Sequence, residues 1–357
     1  MMMRELTIHG RRVSQEDDCF VIAEIGHNHQ GDLQKAKDLI RQAKTCGADA
    51  VKFQKRDNKA LYTRELYNKP YEHENSFGRT YGEHREYLEF GWKEYEELKK
   101  FSDDLGITFF ATAFDFKSAD FMERLGAPVF KIASGDLKNI PLIRHVAGFG
   151  KPVLVSTGGG SMRDLDRVYE AVMPINRKLC FLQCTASYPT QPEDIHLKVI
   201  EALLGRFPDL VIGFSDHYNG IVMATAAYVL GARVIEKHFT LNHTWKGTDH
   251  ALSLEPVGMQ KMVRDLRRLK LAMGSGEKNI LPCEHPNLVK MGKKLVAARD
   301  LPAGHVLREE DIHIKSPGDG LAPSEAGKVI GRRLLEAVSE ERTLSPEILE
   351  GYGNGAV

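Results

Sequence analysis

The sequence predicts an α/β fold, a (β/α)8 TIM barrel followed by a small C-terminal β-rich domain. Three observations lead there. Short, β-branched apolar runs recur at residues 20–25, 50–54, 107–111, 129–133, 153–156, 180–183, 210–214 and 233–237. Helix-patterned segments lie between most of them, and strands alternating with helices favour a parallel sheet. From Lys293 onward the texture changes to short strands and tight turns. Eight strand–helix units suit a barrel of roughly 250 residues or more. An open doubly wound sheet is the alternative, but no GxGxxG follows the first run.

The elements follow in order. After the first run, residues 33–46 place Leu39, Ile40 and Ala43 on one helical face with charge opposite. Residues 93–101, 118–125, 162–172 and 221–230 repeat this helical theme. One connection, residues 55–90, is much longer than a barrel needs. It carries Tyr62, Tyr67, Tyr71, Tyr81, His73, His84, Arg79 and Arg85. Loops of this length are functional or disordered, and the aromatic content speaks against disorder. A cover over the barrel mouth is the functional reading; an ordered surface decoration or subunit contact is the bland one. The barrel pattern ends near Met273. The expected division is a catalytic barrel at 1–280, a linker at 281–292 and a compact module at 293–357, too small to be more than marginally stable alone.

Bulk properties narrow the function. The chain of 357 residues is 42% hydrophobic and 27% charged, with zero formal net charge. That balance gives no electrostatic reason to expect nucleic acid or an anionic membrane as partner. The five cysteines, Cys19, Cys46, Cys180, Cys184 and Cys283, show no CxxC spacing and read as small buried hydrophobes in a reduced compartment. The start lacks an apolar signal core and no run is long enough to span a bilayer, so a cytoplasmic protein is expected.

The chemistry-bearing residues cluster at strand ends. Ser215-Asp-His217 and Glu236-Lys-His238 each close an apolar run. On neighbouring parallel strands the two imidazoles emerge side by side at the face where barrel enzymes do their chemistry. Neutral imidazoles suit a borderline divalent metal. Lys52 and Gln54, Lys131 and Ser134, and Ser156-Thr-Gly-Gly-Gly160 end three other runs, and Ser215 makes a fourth strand end that can join them. Together they can ring a phosphate, although a single strand-end lysine is more often a solvated charge. Glu24, in an apolar strand, is costly to bury without a partner, so it orients substrate or water, or simply pairs with a strand-end lysine. Glu236 shares the strand face of His238 and reads as an outer ligand. Asp249 follows the last strand and is placed to accept from a sugar hydroxyl. His27, His29 and His250 read as packed or capping residues outside the metal site.

Taken together, Ile22-Ala-Glu-Ile-Gly-His-Asn-His-Gln-Gly31, Val51-Lys-Phe-Gln-Lys55, Lys131-Ile-Ala-Ser-Gly135, Phe181-Leu-Gln-Cys-Thr-Ala-Ser-Tyr-Pro189, Gly213-Phe-Ser-Asp-His217, Glu236-Lys-His238 and Trp245-Lys-Gly-Thr-Asp-His250 resemble the sialic acid synthase family. The part from Lys293 resembles that family's antifreeze-like, or SAF, domain. The resemblance implies condensation of phosphoenolpyruvate with an N-acylated hexosamine, N-acetylmannosamine or its 6-phosphate, aided by a divalent metal, Mn or Mg. It implies His217 and His238 as metal ligands. Lys52, Lys131, Ser134, Ser156 and Ser215 hold phosphoenolpyruvate; Glu24 sits beside the reacting carbon; Gln54, Thr112, Tyr188 and Asp249 contact the sugar. It also implies a homodimer in which the small domain covers the partner's active site.

Two positions depart from the pattern of relatives that use free sugar. Ala186 stands where they carry Asn, and Ser316 where they carry an arginine that reaches the N-acetyl group. The acceptor is thereby left open between a phosphorylated sugar, a deaminated one and another nonulosonic acid precursor. Arg56, Arg64, Arg79 and Arg85 are the candidates for gripping a sugar phosphate. The competing readings are a catalytically dead barrel that binds carbohydrate or ice, and a metal-independent aldolase using a Schiff-base lysine.

Overall fold

The computed structural model describes residues 4–353 as two compact units, divided between Gly274 and Ser275. The first opens with a hairpin, β1 (Glu5–Ile8) and β2 (Arg11–Ser14), that the strand pattern had not been read to include. His9 and Gly10 both take positive φ at its turn, the geometry that matches the twist of a two-residue hairpin. Leu6, Ile8 and Val13 are buried beneath it.

Eight parallel strands then close into a barrel: β3 (Phe20–Gly26), β4 (Ala50–Lys55), β5 (Thr108–Ala113), β6 (Phe130–Ile132), β7 (Val153–Ser156), β8 (Leu179–Cys184), β9 (Val211–Asp216) and β10 (Val234–His238), with β10 pairing back to β3. Every expected strand is present, its ends shifted by at most two residues. A Cβ added at Gly213 would lie 2.4 Å from Leu182 Cδ2 and 2.5 Å from the Val234 carbonyl oxygen, so glycine there lets β8, β9 and β10 pack. Helices fill the connections. Helix α1 (Leu33–Thr45) starts where the Asp32 carboxylate accepts from the Lys35 amide, and buries Ala36, Leu39, Ile40 and Ala43 at helical spacing. Such a cap contributes about 1 kcal/mol; the buried stripe contributes more.

The long connection after β4 is not a loop. It folds as α2 (Asn58–Leu61), α3 (Arg64–Asn68) and α4 (Tyr81–Leu88) before α5 (Trp92–Asp104). Asp57, Thr63 and Thr80 cap the three short helices. A Cβ at Gly82 would lie 2.5 Å from the Tyr67 ring, so α4 rests its backbone on α3. The segment is tied to the barrel rim by the Gly247 amide, which donates to Asn75 Oδ1 at 2.9 Å, and by Lys246 lying 5.1 Å from the Phe77 ring centre.

The second unit pairs β11 (Lys294–Ala297) with β12 (Ile312–Lys315), joined by isolated bridges such as Val296 with Thr343 and Leu301 with Val338. Leu295, Ala297, Leu307, Val329 and Leu344 form its core. The segment read as linker contains a short helix at His285–Met291. Cys283 is exposed, against the expectation of five buried cysteines; the other four are buried. No helix among the described residues is long and apolar enough to cross a membrane.

Candidate active site

The two-residue period of a strand puts alternate side chains on one face, and the barrel turns that face inward. At the strand C-terminal ends this delivers Glu24, Lys52, Gln54, Thr112, Lys131, Ser156, Ser215, Glu236 and His238 into one cavity of about 460 Å³. Ser134, Tyr188, His217 and Asp249 join them from the segments just beyond. These thirteen residues, read from the sequence as catalytic, substrate-binding or metal-ligating, all line this cavity.

At its base, charges are closely balanced. Lys52 Nζ stands 2.7 Å from Glu24 Oε2, 3.7 Å from Glu236 Oε2 and 2.7 Å from Thr112 Oγ1. Lys131 Nζ donates to Ser156 Oγ at 2.7 Å and lies 3.7 Å from Glu236 Oε1. Ser215 donates to Glu236 at 2.9 Å, and Gln54 Nε2 to Glu24 at 2.8 Å. All four charged side chains are buried. Burial pushes Glu24 up from the carboxylate range, and Lys52 only partly offsets it. Burial would raise Glu236 too, but Lys131 and Lys52 outweigh it and hold the group at about 2. Lys52 is raised because Glu236 and Glu24 outweigh the burial that opposes its charge, whereas burial lowers Lys131. Two neighbouring carboxyls pushed apart in this way are suited to different tasks, one fixed in charge and one able to exchange a proton.

Above this base the His217 and His238 rings stand 5.3 Å apart, with Tyr188 packed 4.1 Å from His217. His217 Nδ1 is engaged by the Thr185 carbonyl at 2.8 Å, which leaves Nε2 as the free ring nitrogen. His238 Nδ1 is buried without a hydrogen-bond partner, 3.8 Å from Asp249 Oδ2. Burial holds His238 neutral, with its pKa near 3, the form that ligates metal. Ser134 Oγ accepts from the Gly158 amide at 3.1 Å, joining the β6 end to the glycine run after β7.

Two further groups shape the cavity. Cys184, expected only to fill space, lines it 3.6 Å from Ser134 Oγ and 3.9 Å from His217 Nδ1; its strand-end position was the available signal. The same cavity is lined by His84, Arg85 and Leu88 of α4 and by His27, Arg56 and Phe114. The other two candidate arginines stand apart: Arg64 is exposed and the Arg79 side chain is 94% exposed. His29 stacks on Phe90 and His250 bonds Thr240, both as packing residues, whereas His27 faces the cavity.

Comparison with known proteins agrees with this geometry. Residues 39–278 match the NeuB family and residues 294–350 the SAF domain. The chain is 42% identical to the human N-acetylneuraminate-9-phosphate synthase over 96% of each protein. It is 37% identical to the N,N'-diacetyllegionaminic acid synthase of Legionella pneumophila, over 93% of this chain and 95% of that one. The solved N-acetylneuraminic acid (sialic acid) synthetase of Leptospira borgpetersenii, in complex with citrate, superposes with a TM-score of 0.70 at 31% identity, covering 80% of this chain and 95% of that chain. The chain therefore belongs to the NeuB family of sialic acid synthases, as an enzyme of that family ending in a SAF domain.

Proposed function

We propose that this enzyme condenses phosphoenolpyruvate with N-acetylmannosamine, or its 6-phosphate, to give N-acetylneuraminate, or its 9-phosphate, and inorganic phosphate. The observation that carries the reading is the buried base, where Lys52, Lys131, Ser156 and Ser215 converge beside Glu24 and Glu236, under a pair of histidines. Phosphoenolpyruvate is a small dianion or trianion, and two buried ammonium groups with hydroxyl donors match it.

His217 and His238 are the residues that would hold a divalent ion of the Mn or Mg kind. Three features of the pair fit that role: the fixed Nδ1 of His217, the orphaned Nδ1 of His238 and its neutral ring. Among the described residues no third His, Cys, Asp or Glu completes a cluster, so a bound ion would keep positions for water and substrate. Such an ion, when bound, supplies Lewis acidity toward the acceptor's aldehyde oxygen. Lys52, Lys131, Ser134, Ser156 and Ser215 orient phosphoenolpyruvate so that its methylene carbon forms the new bond to the aldehyde carbon. Gln54, Thr112, Tyr188 and Asp249 hold the open-chain sugar. Glu24 gives the proton it holds to the aldehyde oxygen, which becomes a hydroxyl, and water adds to the cationic carbon left beside the phosphate ester. Glu24, with its raised affinity for a proton, takes the one that water gives up. The C–O bond to phosphate then breaks, leaving the keto group and releasing inorganic phosphate.

The test is phosphate release from phosphoenolpyruvate with Mn, offered N-acetylmannosamine, its 6-phosphate, mannose 6-phosphate or arabinose 5-phosphate. Release is expected with one of the first two, abolished by chelator and lowered at least about 100-fold in His217→Ala. Release only with arabinose 5-phosphate, or turnover that survives chelation, would sink the reading.

A further inference from the structure

The cavity's second pole has a charge problem that its own residues leave unsolved. Arg56, at the end of β4, is 7% exposed. Its guanidinium lies 3.7 Å from the Phe114 ring centre and donates to Gln54 Oε1 at 2.7 Å. Arg85, half-buried on α4, directs its fork to the Tyr81 hydroxyl at 3.0 and 3.1 Å. Between them sits His27. Arg56 Nη1 stands 3.3 Å from its Nε2, and Arg85 Nη1 3.4 Å from its Nδ1.

A neutral imidazole has one acceptor nitrogen and one donor N–H, and arginine offers donors only. One ring nitrogen can accept from one guanidinium; the other then turns its own N–H toward the second. Protonating the ring would make both contacts donor against donor. Burial, followed by the two guanidinium charges, holds His27 well below its ordinary pKa and so neutral. The cluster thus retains two positive charges and an excess of donors. No carboxylate among the described residues lies within 4.0 Å of either guanidinium. Glu89 stands 3.9 Å from His27 Nε2, and it is already bound to Lys55 at 2.6 Å. Burying uncompensated like charges is expensive; an acceptor-only ligand with several oxygens removes both the repulsion and the donor conflict.

We infer that Arg56, His27 and Arg85 form a subsite for the terminal phosphate of the acceptor sugar, making a phosphorylated hexosamine the substrate. The inference rests on the synthase reading above and adds its acceptor specificity. The subsite lines the same cavity as the phosphoenolpyruvate base but is built from a different element, the helical segment after β4. Planar guanidinium forks suit a phosphate better than a hydroxyl. Arg79, exposed on the surface, is the natural control.

The experiment compares kcat/KM for N-acetylmannosamine 6-phosphate with that for N-acetylmannosamine, in the native enzyme, Arg85→Met, Arg85→Lys and Arg79→Ala. The native ratio should favour the phosphate by at least about 100-fold, and Arg85→Met should lower that ratio by about 100-fold. Arg85→Lys should fall between them, since it keeps the charge and loses the fork. Arg79→Ala should leave the ratio alone. A native preference for the free sugar would overturn the subsite while the synthase reading stood. So would an equal loss for both sugars in Arg85→Met, or a loss expressed in the KM for phosphoenolpyruvate. If neither sugar is turned over, the synthase reading fails, and calorimetry with the same two sugars still decides. Binding of the phosphorylated sugar alone, weakened by Arg85→Met, supports the subsite; equal binding of both sugars overturns it.

Discussion

The two poles of the cavity solve burial of charge in opposite ways. At the base, Lys52 and Lys131 face Glu24 and Glu236, and each charge has an opposite within 3.7 Å. At the α4 pole, Arg56 and Arg85 face an imidazole and a tyrosine hydroxyl. The charges of the base are balanced as folded; those of the other pole are of one sign, with no carboxylate within 4.0 Å of either guanidinium among the described residues. A compensated cluster is expected to contribute to stability, and an uncompensated one to detract from it, because function asks for a site that the fold alone would not choose. The contrast can be broken or sharpened by removing one charge at a time and measuring stability apart from activity.

The largest effect should come from Lys52→Met. It leaves Glu24 and Glu236 buried without their shared cation, and breaking a buried pair in this way costs about 3–5 kcal/mol. Urea unfolding of the full chain measures it. Adding Glu24→Gln in the same chain should recover part of the loss, since one orphaned charge is then gone. A loss under about 1 kcal/mol would mean that the base is less coupled than its distances suggest.

Much of this base was legible in the sequence, for a local reason. Glu24, Lys52, Lys131, Ser215 and Glu236 end apolar runs, and strand parity with barrel closure fixes where such positions point. The N-terminal hairpin carried a similar signal, since Leu6 and Ile8 alternate with polar residues before His9-Gly10. The α4 pole was harder. Arg56, Arg64, Arg79 and Arg85 look alike as letters in one long segment. What separates them is a helix start at Thr80, which puts Tyr81, His84, Arg85 and Leu88 at helical spacing and leaves Arg79 outside. Cys184 is buried as expected, but its place on the cavity wall was missed, because composition treats a buried thiol as a hydrophobe whatever wall it stands on. Which barrel-face residue each helix meets depends on tertiary packing, and no local pattern encodes it.

A smaller effect tests compensation in the second unit. There Asp311 is fully buried and accepts from Arg299 at 2.7 Å, His305 at 2.7 Å and the Arg308 amide at 3.0 Å. Burial pushes its pKa upward, but these bonds outweigh it and bring the group down to about 2. A carboxylate depressed in the folded state stabilises above its unfolded value, near 3.9, and that contribution fades as pH falls toward 2. Asp311→Asn should therefore cost about 2 kcal/mol at neutral pH. It should also flatten the loss of stability between roughly pH 4 and pH 2. Acid unfolding that is identical in the two proteins over that range would remove Asp311 from the account.

The smallest effect, and the one of opposite sign, belongs to Arg85→Met. The thioether keeps most of the apolar stem and removes one of two like charges held against His27. At low ionic strength the variant should be no less stable than the native enzyme, and up to about 1 kcal/mol more stable. Inorganic phosphate at millimolar concentration should then raise the melting temperature of the native enzyme more than that of the variant, since an anion that binds only the folded cluster stabilises by mass action. Phosphate acting at the base would raise both equally, so the difference between the two proteins isolates the α4 pole. A variant destabilised by more than about 1 kcal/mol would show that Arg85 is held by favourable contacts already present. The contrast between the poles would then collapse, because the charges of both would be compensated by folding alone.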